Sequence, residues 1–311
     1  MRKFILELLL YMLIPILTIL VILELLLRNV PNDYSFKNKW LTENSSKTKI
    51  LILGTSHTYF GINPDYFEKR AFNAAEPSQT LKYDYSIFNK FHERMDSLEY
   101  IILPISFFSL YSKLENVEPL RVKKYFLYYD FKYQEFSYDN CFQLSEINYK
   151  NMNSKKWKHL RNTIAGNEND IFCNNLGFGI RYSTKNKHLN WQKRGPIVAQ
   201  EHMKESDSKT LTENEGYVQS IITMAAKKNI KVILITTPTW QTYSENLNKI
   251  QLSYTMKFCN SMKEKFSNVS YINMLNDKRF GETDFYDPDH LCDVGAKKFT
   301  KILNDTLRVI F

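Results

Sequence analysis

The chain opens on its most extreme stretch of apolar positions. From Phe4 to Leu27 most residues are Leu, Ile, Val, Met or Phe, with Glu7 and Glu24 near the two ends. As a helix this segment is about 36 Å long, against roughly 30 Å of membrane hydrocarbon. The glutamates then fall near the two headgroup layers, and Pro15 sits mid-segment, where spanning helices tolerate a kink. A soluble helix of this length would show a polar face. A cleaved signal peptide needs small residues after a shorter apolar core, yet no Ala precedes Ala71 and no Cys precedes Cys141. Residues 1–28 therefore read as an uncleaved membrane anchor. Arg2 and Lys3 before it balance Arg28, Lys37 and Lys39 after it, so flanking charge does not orient it. A short basic tail ahead of a long domain leaves the tail in the cytoplasm. That places the rest on the extracytoplasmic side of the inner (cytoplasmic) membrane.

Residues 29–48 are polar and read as a stalk. The pattern then changes. Lys49-Ile50-Leu51-Ile52-Leu53-Gly54 is apolar without alternation, as in a strand buried on both faces of a parallel sheet. Arg70 to Asn73 and Tyr100 to Ile105 are further strands, the latter with Pro104 near its end. Between them Gln79 to His92 reads as a helix with Leu81, Tyr85, Phe88 and Phe91 on one side. Residues 110–210 mix Tyr, Phe, Lys and Asn without a sustained period, and read as an insertion of short helices and long loops. Regularity returns with a capping-box pattern at Thr212 and Glu215 and the stripe Val218, Ile221, Ile222, Ala225. Lys231 to Thr237 and Val269 to Asn273 are strands. Ser244 to Lys265 and Gly295 to Val309 are helices, the last facing Phe299, Ile302 and Leu303 inward. Strands alternating with helices predict an α/β fold, a three-layer αβα sandwich over residues 49–311 with a mostly parallel sheet.

Composition adds limits. With 43% hydrophobic residues the 311-residue chain has ample core material, and nine Gly with nine Pro exclude a collagen-like or linker composition. The four cysteines, Cys141, Cys173, Cys259 and Cys292, form no CxxC pair, and spacing does not pair them as disulfides. A net charge of +9 suits an anionic partner or simply a solvated basic surface. No nucleic-acid-binding motif accompanies it, so nucleic acid is not an expected partner.

In parallel α/β sheets, sites form beyond the carboxyl ends of the strands. Two segments occupy such positions. Gly54-Thr55-Ser56-His57-Thr58 follows the first strand, where Ser56 can be presented at the sheet edge and turn N–H groups can face an oxyanion. Thr and Ser before a helix are also ordinary N-cap residues. Asp284 to Cys292 precedes the last helix, and Asp287 and His290 are three apart, within reach of each other on one turn. A serine hydroxyl needs a neighbouring base, and a carboxylate orients that base and stabilises its imidazolium. Asp289 is a rival partner for His290. A metal held by Asp287, Asp289, His290 and Cys292 is a further reading, disfavoured by its mixed ligand types, so neither metal nor cofactor is expected. Trp240, Tyr243 and the group Tyr125, Tyr128, Tyr129 and Tyr133 either stack on sugars or pack. His57 reads as structural and Cys292 as a buried thiol.

The order Ile-Leu-Gly-Thr-Ser56-His-Thr, then Asp287-x-x-His290 and Asp289-His290-Leu291 through Gly295-Ala296-Lys297-Lys298-Phe299, resembles the SGNH (GDSL-like) hydrolase superfamily. With Ile62-Asn63-Pro64 after the serine block, it is similar to the membrane-anchored bacterial branch. That branch includes proteins of teichoic-acid D-alanylation and exopolysaccharide O-acetylation. The likeness covers about 49–108 and 212–309. It implies Ser56 as nucleophile, His290 as base and Asp287 as its orienter. Ser78 falls where the second block carries an oxyanion-donating Gly. The third block's Asn is missing from Leu103-Pro104-Ile105-Ser106, leaving Ser106 as the substitute donor beside Ser56 and Ser78. Thr55 replaces the Asp of the GDS form. The implied function is that of a membrane-anchored esterase or O-acyltransferase acting on a cell-surface glycan through an acyl-enzyme. The alternative is a non-catalytic binding or handover partner of a polytopic membrane acyltransferase.

Overall fold

A computed structural model describes residues 2–131, 141–146, 154–167, 169–187, 189–203 and 207–310. The chain divides into two compact units, one of residues 1–38 and 119–171, the other of 39–118 and 172–311. The 110–210 stretch is thus shared: its centre belongs to the first unit and its part from Phe172 to the second.

The first unit is helical. It holds α1 (Arg2–Arg28), the start of α2 (Asp33–Asn44), α5 (Pro119–Tyr129) and α6 (Ser154–Ile164). Along Tyr11–Arg28, α1 has a mean hydropathy of 2.2, long and apolar enough to cross a membrane. Its one acid in that stretch is not left bare. Glu24 pairs with Arg28 at 2.5 Å and accepts the backbone N–H groups of Gln143 and Leu144 at 3.0 and 2.9 Å. A carboxylate in an apolar helix is tolerated when it is ion-paired and hydrogen-bonded.

The second unit is the α/β body. Strands β1 (Ile50–Ile52), β2 (Ala71–Asn73), β3 (Tyr100–Pro104), β4 (Lys231–Thr236) and β5 (Val269–Asn273) form one sheet in the order β2-β1-β3-β4-β5. Every pair is parallel, with Ile52 opposite both Asn73 and Ile102, and Leu103 opposite Leu234. The helices of this unit include α3 (Ser56–Tyr59), α4 (Leu81–Phe91), α7 (Gly195–His202), α8 (Ser208–Lys227), α9 (Lys249–Lys265) and α10 (Asp293–Ile310). On one sheet face Ile50, Ile52, Ile102, Ile233 and Ile235 pack with Phe299, Leu303 and Leu307 of α10. Alternation sends Leu51, Ile101, Leu103, Val232 and Leu234 to the other face. All five are fully buried, on the side where α8 packs on β4 and on α4. Burial on both faces is why these strands read as unbroken apolar runs.

Some boundaries move for local reasons. Helix α8 starts at Ser208, because the Asp207 carboxylate accepts the N–H groups of Lys209 and Thr210. Thr212 lies a turn inside and donates to the Ser208 carbonyl instead. Helix α9 starts at Lys249, where the Asn248 side chain caps Ile250 and Gln251. On α4 the buried stripe is Leu81, Asp84, Ile87, Phe88 and Phe91, with Asp84 where an apolar residue was expected. Tyr85 is half-buried and stacks on Tyr217.

Candidate active site

Ser56 stands where β1 leaves the sheet. Gly54 has φ of 112°, and a Cβ there would lie 2.0 Å from Pro104 Cγ. Only glycine lets this exit pass against the end of β3. Thr55, not Ser56, is the cap of α3, accepting the His57 N–H at 3.3 Å. Thr58 Oγ1 donates to the Leu53 carbonyl at 2.8 Å. Asn73 Nδ2 donates to the Thr58 and Ile62 carbonyls at 2.8 and 2.9 Å. These bonds hold the serine turn at the carboxyl edge of the sheet.

The acidic segment forms a narrow hairpin. Phe285 bridges Leu291, and the Tyr286 N–H donates to the His290 carbonyl at 2.9 Å. Inside the turn, Asp287 Oδ1 accepts the N–H groups of Asp289 and His290 at 3.2 and 2.9 Å. The same carboxylate meets His290 Nδ1 at 2.9 and 3.1 Å. On the other side of the ring, Nε2 lies 2.8 Å from Ser56 Oγ. A carboxylate at Nδ1 assigns the proton to that nitrogen and leaves Nε2 to accept from the serine hydroxyl. Serine, histidine and aspartate are thereby in line across 234 residues of sequence. Tyr182, stacked between Phe60 and Tyr286 at 3.7 and 4.0 Å, forms an aromatic wall whose edge lies 5.2 Å from the His290 ring.

A second hydrogen-bonded chain runs behind the first. Asp289 is buried; its Oδ2 meets His57 Nε2 at 3.1 Å, and His57 Nδ1 meets Ser106 Oγ at 2.8 Å. Asp289 Oδ1 also lies 3.4 Å from His290 Nδ1. Asp287 is therefore the nearer partner of His290, and Asp289 faces three imidazoles, with His202 Nδ1 3.8 Å from its Oδ2. Burial opposes ionisation of Asp289, but the His290 charge and its bonds to His290 and His57 outweigh this and hold the carboxyl well below its usual range. Burial likewise opposes a charged His290, yet Asp287 and Asp289 together lift it well above an ordinary histidine.

Ser106 is placed in this second chain. Its hydroxyl is engaged by His57, and its N–H donates to Ser109 Oγ at 2.9 Å. Ser78 behaves differently. Its φ is 62°, the left-handed region that favours glycine, and it lines a cavity together with Ser56. Among the described residues, the backbone N–H groups of Ser56 and Ser78 meet no protein acceptor. Two donors are thus available to an oxyanion, and Ser106 is not a third.

His57, Asp289 and His290 carry ligand-type atoms within 4.8 Å of one another. Each ring nitrogen is already hydrogen-bonded to Ser106, Asp289, Asp287 or Ser56. Cys292 Sγ donates to the Thr283 carbonyl at 3.2 Å and is committed there. The aromatic candidates pack: Tyr125, Tyr129 and Tyr243 are buried, and Trp240 packs edge-on to Trp191 in the core. Tyr128 is half-buried, and Tyr133 lies outside the described residues. Patterning missed His202, whose Nδ1 meets Tyr243 OH at 2.9 Å, and the cavity-lining Asp84.

No family model matches the chain, and no curated protein matches it. Solved structures do. The chain is similar to a Bacteroides fragilis protein assigned as an acylhydrolase, at 11% identity, over 87% of this chain and 94% of that one, with a TM-score of 0.41. It is similar to a GDSL-like lipase of Bacteroides thetaiotaomicron at 10% identity, over 89% and 100%, with a TM-score of 0.42. It is also similar to a Streptococcus pneumonia protein assigned as a platelet activating factor, at 9% identity, over 96% and 99%, with a TM-score of 0.41.

Proposed function

We propose that this chain is a serine esterase or O-acyltransferase that works through an acyl-enzyme. The observation that carries the reading is the alignment of Ser56 Oγ, His290 and Asp287, with contacts of 2.8 Å at Nε2 and 2.9 Å at Nδ1. In this mechanism Ser56 Oγ attacks an ester carbonyl and passes its proton to His290 Nε2. Asp287 stabilises the imidazolium at Nδ1. The tetrahedral oxyanion forms against the Ser56 and Ser78 N–H groups. The leaving alkoxide takes the proton from Nε2, and the acyl group stays on Ser56. Water or a sugar hydroxyl then gives its proton to Nε2 and attacks the acyl carbon, and the departing Ser56 Oγ takes that proton back from Nε2.

The acceptor we propose is a cell-surface polysaccharide or other glycan, reached from the extracytoplasmic face of the membrane. The apolar, outward-facing side chains of α1, Tyr11 and Met12 to Ile22 and Leu25 among them, support an anchored enzyme. The test is labelling of membranes by a fluorophosphonate probe. Ser56 in the wild type should react, Ser56→Ala should not, and Asp287→Asn should react slowly. Equal labelling of wild type and Ser56→Ala would refute the nucleophile. Full complementation of a deletion strain by Ser56→Ala, scored by acyl content of the surface polymer, would favour a non-catalytic handover partner of a polytopic acyltransferase instead.

A further inference from the structure

The cavity beside Ser56 has a volume of about 90 Å³ and is lined by Ser78, Thr80, Asp84, Phe108 and Ser112 among others. One water needs roughly 10–15 Å³ on this scale, so several water-sized groups fit. Most of the wall is uncharged. Asp84 is the exception, and its side chain is 1% exposed. It comes from the buried stripe of α4. Its Oδ1 accepts the Gly54 N–H at 2.7 Å and the Gln79 amide at 2.6 Å. Among the described residues its Oδ2 meets no donor, and no Lys, Arg or His pairs with it. A carboxyl oxygen with no protein partner and little access to water is poorly compensated. Burial, partly countered by the bonds from Gln79 and Gly54, pushes this carboxyl up to about 7. The cavity is mostly apolar, with a few polar groups among which Asp84 Oδ2 and Thr80 Oγ1 meet no protein partner, and that is the composition of a recognition site.

We infer that this cavity is the subsite for the transferred acyl group, and that Asp84 Oδ2 selects short acyl chains carrying a hydroxyl. This rests on the serine-esterase reading and deepens it. An acyl group on Ser56 Oγ would extend into the space that Ser56 itself lines. A hydroxyl one or two carbons from the carbonyl can donate to Asp84 Oδ2, whereas an apolar chain of the same size strips water from that oxygen and returns nothing. Sites built to bond a substrate hydroxyl reject the analogue lacking it strongly, by as much as about 10⁴-fold when fully enclosed. This cavity is open on one side, so a preference of at least about 10-fold is expected.

The test compares aryl esters of 2-hydroxypropionate and propionate on the full chain in detergent, each rate divided by that ester's rate with hydroxide. Wild type should favour the hydroxylated ester at least tenfold in kcat/KM. Asp84→Asn keeps a carbonyl oxygen for Gly54 and Gln79 but turns an NH₂ donor toward the cavity. Its preference should fall to parity or invert, through KM as well as kcat. A wild-type ratio near one overturns the inference even where Asp84→Asn does not fold, and so does an Asn variant that keeps the wild-type ratio. Fluorophosphonate labelling of Ser56 is run on the same samples. Labelled Ser56 without selectivity removes the acyl subsite and leaves the esterase, while unlabelled Ser56 removes both.

Discussion

Replacing Asp289 by Asn should move the pH dependence of the site in a direction the geometry fixes. The carboxylate lies 3.4 Å from His290 Nδ1, with Asp287 nearer at 2.9 Å. Two unit charges 3.4 Å apart attract by about 5 kcal/mol at an effective dielectric near 20. Asp289 shares its charge with His57, and burial of His290 works against the charged ring. If a quarter of the attraction survives, the loss is about 1.2 kcal/mol, or roughly 0.9 pKa unit. His290 must be neutral at Nε2 to accept the serine proton. Its raised pKa therefore puts the acid limb of wild-type reactivity at high pH, with activity lost as pH falls through that value. Asn at 289 keeps the shape and removes the charge, so the limb should shift down by about one unit or more. The assay is the second-order rate of fluorophosphonate labelling at Ser56 across pH, beside a melting curve. Asp287→Asn is the contrast: its amide disturbs the tautomer itself, which in serine hydrolases costs about 10⁴-fold in rate. An unmoved or upward-moved limb in a folded Asp289→Asn protein would falsify the electrostatic assignment.

Other consequences are simpler to state. Gly54→Ala places a methyl 2.0 Å from Pro104 Cγ at φ of 112°, so it should cost about 1–3 kcal/mol from the backbone alone, read by chemical denaturation. Ser78→Gly should stabilise by about 1 kcal/mol, because φ of 62° strains a residue with a Cβ, and the midpoint of unfolding should rise. Asp84 has a folded pKa of about 7 against 3.8 for the ordinary group. Its native form binds the proton more tightly, so its contribution is complete below about pH 4 and is lost as pH rises through 7, by at most about 4 kcal/mol. Asp84→Asn should flatten that decline, and stability curves at pH 5 and pH 8 with the same slope in both proteins would refute it.

Much of this arrangement was legible in the chain because each signal was local. The apolar runs at 50–53, 100–105 and 231–236 have no alternation, and strands buried on both faces need none. Ser56 follows such a run and a glycine, and Asp287 and His290 are separated by a single turn. What escaped was non-local. Asp84 sits in the buried stripe of α4, and a pattern that admits only apolar residues passes over it in favour of Tyr85. His202 lies in a stretch without periodicity, and only the fold carries it to Tyr243. The 29–48 stretch is polar enough to read as a stalk, yet it contains α2, where Trp40 stacks on Phe72 at 3.7 Å. A single aromatic contact supplies what amphipathic spacing does not.

The placement of Ser106 follows from the two carboxylates of the histidine turn. An Asp-Pro-Asp-His turn projects two carboxylates toward Nδ1 of one imidazole, Asp287 at 2.9 Å and Asp289 at 3.4 Å, on the side of the ring away from Ser56. The other, Asp289, is buried and needs its own donor. His57 supplies it, one residue after Ser56, and its far nitrogen then needs a partner in turn. Ser106 fills that need from just beyond β3. The site therefore holds two carboxylates around His290, and in the proposed mechanism the unpaired backbone N–H groups of Ser56 and Ser78 are left to meet the oxyanion. Freeing Ser106 by His57→Leu would not restore a donor to the oxyanion; it would strip Asp289 of its bond and leave a buried carboxylate short of a partner, at a cost of about 1–3 kcal/mol.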